Sequence, residues 1–260
     1  ASSAATLAAA ATIDILIPPS IPMILFALTA NASIAALFVA GILPGILMCV
    51  GFMFMCWWVG KRRNFPRDTT PINWSEFRVH LLYSSPALLL PVLIVLFLRF
   101  GIATPTEVAV LSTLYAGVVS VVVYRDLSFK RLNDAVVSAG LATGVVLLVI
   151  MASAAIGWLL TYDQMPSGVA HWITQNVSQD WIVILIMNLL MLLIGMFIDL
   201  PAAVLLLTPV FLPLAESIGM DPVQLGIMMV VNLAVGLYTP PVGTTLFITS
   251  ALAKVKVGQT

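Results

Sequence analysis

From Pro222 to Ala253 this chain carries no charged residue, yet Pro240–Pro241 interrupts the run near its middle. A second apolar stretch, "DILIPPSIPMILF" from Asp14, is interrupted in the same way by Pro18–Pro19. Proline removes a backbone donor and its ring clashes with the carbonyl four residues back. The residue before it is pushed away from helical geometry. In hydrocarbon a backbone group freed in this way has no water to turn to. The composition places these stretches in hydrocarbon: 61% of the residues are hydrophobic and 8% charged, against about 25% charged in a soluble domain. With apolar runs of spanning length, the chain reads as an all-α polytopic membrane protein.

The charges set the topology. Lys61, Arg62, Arg63, Arg67 and Arg78 fall in one connection, Arg125, Lys130 and Arg131 in another, and Lys254 and Lys256 close the chain. "TANAS" (29–33), "DQMPSGVAHWITQNVSQD" (163–180) and "GMDP" (219–222) carry neither Lys nor Arg. Positively charged connections stay cytoplasmic, so the first group lies inside and the second outside. Crossings over 7–28, 34–60, 82–100, 105–124 and 133–162 then alternate in direction without conflict.

The last third departs from simple crossings. Two full spans need about 40 residues, and 181–218 barely supplies them. The turn between them, around Asp199 and Pro201, lacks the basic residues of a cytoplasmic loop. The expected structure is a re-entrant hairpin whose tip, near Ile198–Ala202, stops inside the membrane. Residues 222–253 then run inward, broken at Pro240–Pro241, while the segment broken at Pro18–Pro19 runs outward. Oppositely directed broken helices mark inverted-repeat secondary transporters, in which solute and coupling ions bind near the midplane. Freed carbonyls suit a hard cation such as sodium, and half-helix N-termini suit an anion. Since no Lys or Arg lies near either break, a substrate carboxylate would rest on hydroxyls, amides and half-helix N-termini, with Ser20 and Thr244 as candidates. Asp199 is an intramembrane carboxylate and so a functional candidate; the alternative is a cap for the half-helix that follows, with Pro201 in its first turn. Asn232 either bonds across helices or reaches the hairpin tip.

Three long stretches, "ILIPPSIPMILFALTANASIAALFVAGILPGILM", "GIATPTEVAVLSTLYAG" and "GMFIDLPAAVLLLTPVFLPLAESIGMDPVQLGIMMVVNLAVGLYTPPVGTTLF", resemble the large permease subunit of tripartite ATP-independent periplasmic (TRAP) transporters. The likeness runs almost continuously over 12–253. It implies an elevator-type, sodium-coupled importer of organic acids such as C4-dicarboxylates or sialic acid, multi-pass in the bacterial inner membrane. It also implies a small membrane subunit and a periplasmic binding protein as partners, with no nucleic-acid partner. The family's large subunit is longer, so the chain resembles its later portion.

Carried over position by position, the family's sodium sites imply backbone oxygens at Ile17 and Pro19 in one repeat and at Gly236, Thr239 and Pro241 in the other. Thr239 offers a side-chain oxygen as well. "SSAAT" at 2–6 resembles the tip of the family's first hairpin, which implies Ser2 and Ser3 as further hydroxyl ligands. The family has a longer stretch before the first break, with Gly where this chain has Asp14. The implied organisation is a transport part (1–28, with a remnant of the first hairpin), scaffold-type helices (29–132), a linking helix and an outer-surface helix (133–180), and a second transport part (181–253).

Other features read as structural. Thr104-Pro105-Thr106-Glu107 has the pattern of a capping box with proline at the first helical position. Gly140 and Gly144 are spaced for close helix packing, and Trp57 and Trp58 beside Lys61 read as an interfacial anchor. Cys49 and Cys56 sit two turns apart in one expected helix, roughly 10 Å along the axis, too far for a disulfide. The sequence holds no Gly-x-x-x-x-Gly-Lys loop and no His-Glu-x-x-His, so an ATP-driven motor and a membrane metalloprotease are not expected. The competing reading is a membrane subunit that only scaffolds an enzyme or electron-transfer complex. It accounts for hydrophobicity but not for Asp199 between two apolar arms or for the inverted Pro-Pro pair.

Overall fold

The computed structural model describes residues 2–63, 73–164, 168 and 179–254. Among these the regular structure is entirely helical: α1 (Ser2–Ala10), α2 (Ile21–Ala30), α3 (Ile34–Arg62), α4 (Trp74–Arg99), α5 (Pro105–Val122), α6 (Phe129–Tyr162), α7 (Asp180–Gly195), α8 (Leu200–Ser217), α9 (Pro222–Gly236) and α10 (Thr244–Leu252). Five helices are long and apolar enough to cross a membrane: α3, α4, α5, α6 and α8. The protein is an all-α polytopic membrane protein. The surface helix expected within "SGVAHWITQNV", with His171, lies outside the described residues, Gly168 apart.

The chain divides into two compact units, Ala1–Phe52 with Thr143–Thr260, and Met53–Ala142. In the first unit α9 packs along α7 and α8, α2 lies against α8 and α9, and α1 lies against α10. Its interior is built from Phe26, Leu37, Met187, Met191, Leu225, Met229 and Leu233, all fully buried. Small residues let the backbones approach, as expected where lipid offers helices no hydrophobic drive to associate. A Cβ at Gly226 would come within 2.6 Å of the Phe26 ring and 2.8 Å of Leu37.

In the second unit α4 packs against α5. Tyr115 donates to the Pro86 carbonyl at 2.9 Å and Tyr124 to that of Tyr83 at 3.1 Å, tying α5 and its C-terminal end to α4. The expected capping box opens α5: Thr104 N–H donates to Glu107 Oε2 at 2.7 Å, and Glu107 N–H to Thr104 Oγ1 at 3.4 Å. Beyond Phe54 the end of α3 forms the expected aromatic and basic collar, with Lys61 Nζ 5.3 Å from the Trp57 ring and Arg62 5.6 Å from Trp58. A helix of 29 residues rises about 43 Å at ~1.5 Å per residue, longer than the ~30 Å core, so this collar suits the headgroup layer. Cys49 and Cys56 are free thiols. No heavy atom comes within 4 Å of a Cβ built on Gly140 or Gly144, so the expected close packing at this spacing is not made among the described residues.

Between α7 and α8 only residues 196–199 are non-helical. The 16 residues of α7 reach about 24 Å, short of the ~30 Å core, whereas the 18 of α8 are long and apolar enough for a span. Helix, short non-helical turn and helix follow one another in the expected order over 181–218. At the other end of this unit, "SSAAT" forms the opening turns of α1. Alanine at 4, 5 and 8–10 favours helix throughout, and nothing in 2–10 breaks it.

Candidate functional site

Both Pro-Pro pairs lie in non-helical segments between two helices of the first unit. Residues 11–20 separate α1 from α2, and 237–243 separate α9 from α10. The Pro18–Pro19 and Pro240–Pro241 peptides are both cis. The helix before the first break therefore packs on the helix after the second, since α1 lies against α10.

The first break is held by its own backbone and by α3. Ile17 N–H and Leu16 N–H both donate to the Ile13 carbonyl at 3.1 Å. A Cβ on Gly41 of α3 would sit 2.8 Å from the Leu16 carbonyl oxygen, and one on Gly45 would sit 3.1 Å from the Ile17 side chain. Ser20, buried, caps α2 by accepting from Met23 N–H at 3.4 Å. Ile17 and Pro19 are exposed at this segment. Ser2 and Ser3 fall in α1, and their side chains lie outside the described residues.

The second break is braced by the hairpin tip. Val242 N–H donates to the Met196 carbonyl at 3.3 Å. Gly236 crosses Gly195 so closely that a Cβ would meet its carbonyl carbon at 2.4 Å and its oxygen at 2.5 Å. Leu237 turns its carbonyl toward Thr245, accepting from the backbone N–H at 3.1 Å and the hydroxyl at 2.7 Å. Gly243 takes φ +55, the left-handed region that glycine enters without steric cost. Tip residues Gly195–Ile198 and break residues Leu237, Val242, Gly243 and Thr244 enclose a pocket of about 10 Å³, the room one water needs.

Thr239, half-buried, donates its hydroxyl to the Val235 carbonyl at 2.6 Å, while its N–H donates to the Gly236 carbonyl at 3.0 Å. A hydroxyl that spends its proton on a carbonyl keeps both lone pairs for a cation. Pro240 and Pro241 bring no N–H to compete. Pro241 is exposed at the break and Thr244 opens α10 at the pocket. Asp199 occupies the N-cap position of α8, but its carboxylate makes no capping hydrogen bond and stands exposed at the tip. Asn232 makes the hydrogen bond across helices: its Nδ2 donates to Asn188 Oδ1 at 2.6 Å and to the Met228 carbonyl at 2.7 Å.

The tip thus meets the second break at Gly236, Val242 and Thr244, with Thr239 and Pro241 in the same break segment, and Ile17, Pro19 and Ser20 lie at the other break. Three contributors were not singled out in the sequence: Gly195, the Met196 carbonyl and Asn188. Periodicity cannot show that Gly195 faces Gly236, because the two are distant in sequence and meet only when α7 lies along α9. A larger open groove of about 520 Å³ lies at the far end of α9, lined by Ala40, Asp221, Val223, Gln224, Ile227 and Met228. Asp221 already accepts from Val223 N–H at 2.7 Å as a cap, which leaves this groove without a convergent set of free polar groups.

Two broken helices and a helix–tip–helix element in a multi-pass protein define the class: a membrane protein with discontinuous helices, the architecture in which solutes and ions are held at mid-membrane depth. The family model described as "Tripartite ATP-independent periplasmic transporter, DctM component" matches residues 1–260, and the chain belongs to that family. It is a transporter permease family, not an enzyme family. The chain is 58% identical to protein y4mL of Sinorhizobium fredii, over 99% of this chain and 61% of the relative. It is 38% identical to the isethionate TRAP transporter permease protein DctMQ of Oleidesulfovibrio alaskensis, over 99% and 40%. It is 35% identical to the 2,3-diketo-L-gulonate TRAP transporter large permease protein YiaN of Escherichia coli, over 98% and 60%. The chain therefore spans less than two thirds of the length of these curated relatives.

Proposed function

We propose that this chain is the part of a TRAP large permease that carries out sodium-coupled import of an organic acid across the bacterial inner membrane. The observation that carries the reading is the second break, where the hairpin tip and residues Leu237, Val242, Gly243 and Thr244 line a water-sized pocket, with Thr239 in the same break segment. Sodium would be held by oxygens at Gly236, Thr239 and Pro241, and at the first break by those of Ile17 and Pro19, with Ser2 and Ser3 nearest the start of α1. The substrate carboxylate would rest on Ser20 and Thr244 at the two half-helix starts, where the helix dipole favours an anion. Asp199, at the tip, and Asn232 would be further candidates for the substrate. The printed names of relatives, isethionate and 2,3-diketo-L-gulonate permeases, support a small organic acid as the class of substrate. A small membrane subunit and a periplasmic binding protein would complete the transporter, and the hairpin and broken helices would move together in an elevator cycle.

The test is uptake against external sodium in proteoliposomes holding the full-length permease with both partners. Thr239→Val keeps the shape and removes the hydroxyl. Its loss is expected to weaken sodium activation by about 1–3 kcal/mol, the cost of a missing buried polar partner. An unchanged sodium midpoint would remove the Thr239 side chain from the site, and uptake indifferent to sodium would remove the coupling.

A further inference from the structure

Helices α7 and α9 run side by side and meet closely at Gly195 and Gly236, the last residues before the tip and the break. They meet at a second point through side chains. Asn188 lies about two turns before Gly195, and Asn232 about one turn before Gly236. Asn232 Nδ2 gives one proton to Asn188 Oδ1 at 2.6 Å and the other to the Met228 carbonyl at 2.7 Å. Asn188 Nδ2 gives one to the Ile184 carbonyl at 2.7 Å and one to Met228 Sδ at 3.3 Å. All four amide protons are engaged, on half-buried side chains flanked along their own helices by the fully buried Met187, Met191, Met229 and Leu233. Among the described residues this is the only side-chain hydrogen bonding between α7 and α9.

Apolar packing between two smooth helices tolerates sliding and rotation, and methionine adapts to either. A half-buried, fully bonded amide pair does not, because a slip leaves polar groups unmatched beside an apolar interior. The neighbouring glycine crossing fixes closeness but supplies no directional bond. Asn232 has no proton left for a carboxylate while this arrangement holds.

We propose that Asn188 and Asn232 form a positioning pair that holds α7 and α9 in register, so that the hairpin tip closes against the second break. This rests on the reading of the tip and break as one ion-holding neighbourhood, and it assigns Asn188 a part in that neighbourhood without contact to the ion.

The experiment uses the full-length permease with its partners in lipid nanodiscs, with Cys49 and Cys56 replaced by serine. Spin labels at Phe197 and Val242, both exposed, report tip-to-break proximity by dipolar broadening of the continuous-wave spectrum. Asn188→Ala deletes the inter-helix acceptor; the double change Asn188→Leu with Asn232→Leu replaces the pair by an apolar contact that leaves no amide unmatched. Both are expected to lose most of the broadening and to raise the sodium midpoint of uptake roughly tenfold, while the leucine pair keeps the wild-type melting temperature. Undiminished broadening in Asn188→Ala overturns the proposal, and so does full recovery of broadening in the leucine pair, which would reduce the asparagines to packing. If the leucine pair does not fold, Asn188→Ala alone decides. Sodium-independent uptake by the unsubstituted protein would overturn the ion reading instead, and the broadening would still judge the register pair.

Discussion

The two Pro-Pro breaks share a motif and a cis peptide, yet they are held by different parts of the molecule. The first leans on a continuous helix: Gly41 and Gly45 of α3 accept the backbone of Leu16 and the side chain of Ile17. The second leans on a tip: Gly195, and the Met196 carbonyl that accepts from Val242. The restart of the helix differs too. α2 is capped by the Ser20 hydroxyl, whereas α10 follows a left-handed Gly243 with no side-chain cap and is tied back through Thr245 to Leu237. The same local sequence device therefore sets only the fact of a break. What braces it decides how rigid the break is and what lines it.

The sharpest way to break the comparison is through the glycines. At Gly236 an added Cβ meets backbone atoms of Gly195 at 2.4–2.7 Å, and backbone cannot swing aside. Gly236→Ala is expected to cost about 3 kcal/mol, the upper range for overpacking a filled interior. At Gly45 the nearest atom is an Ile17 side-chain carbon at 3.1 Å, which can shift by a few tenths of an ångström. Gly45→Ala also gains about 1 kcal/mol of helix propensity, so it is expected to fall within about 1 kcal/mol of neutral. Thermal unfolding of the two variants in one detergent measures the difference. Equal losses would mean that the two breaks are equally tight and that the contrast drawn here is wrong.

A smaller effect tests the helix restarts. Ser20→Ala removes the cap of α2 and is expected to cost about 1 kcal/mol. The second break offers no equivalent hydroxyl, because its residue in that place is Gly243 at φ +55. There Gly243→Ala would cost about 1–2 kcal/mol by a different route, the left-handed backbone that a Cβ opposes. Denaturation midpoints of the two variants test this pair of costs. A Ser20→Ala protein as stable as its parent would show that α2 is fixed by packing alone.

The breaks themselves were legible in the sequence because proline acts through local sterics, which need no knowledge of neighbours. The order of helix, short turn and helix over 181–218 was legible because Asp199 and Pro201 interrupt its apolar run. The bracing was not. That Gly195 meets Gly236, and Asn188 meets Asn232, depends on which helices lie together, and an apolar membrane helix shows little face preference in its sequence. "SSAAT" is ambiguous for a related reason: small residues suit a tip and an alanine-rich helix equally. Asn232 could be read as a cross-helix donor, but not its partner, since any polar residue on a neighbouring helix would have served.

The smallest expected change in stability falls at Asp199, and it is the most informative about function. Asp199 stands where a cap belongs, with Pro201 in the first turn of α8, yet its carboxylate bonds to no backbone N–H and is exposed at the tip. A cap that makes no bond contributes little, and asparagine is as good a cap as aspartate. Asp199→Asn is therefore expected to change stability by less than about 0.5 kcal/mol, within the usual range for an exposed position. A carboxylate kept in an apolar tip without a structural bond has its cost to justify elsewhere. Uptake by the Asp199→Asn protein is accordingly expected to fall roughly tenfold, the scale of a ~1.4 kcal/mol interaction, with the melting temperature unmoved. Initial rates in proteoliposomes beside a thermal scan of the same preparation make the comparison. If instead the protein melts several degrees lower and transports at the parental rate, Asp199 is a cap after all, and the tip braces the second break without taking part in transport.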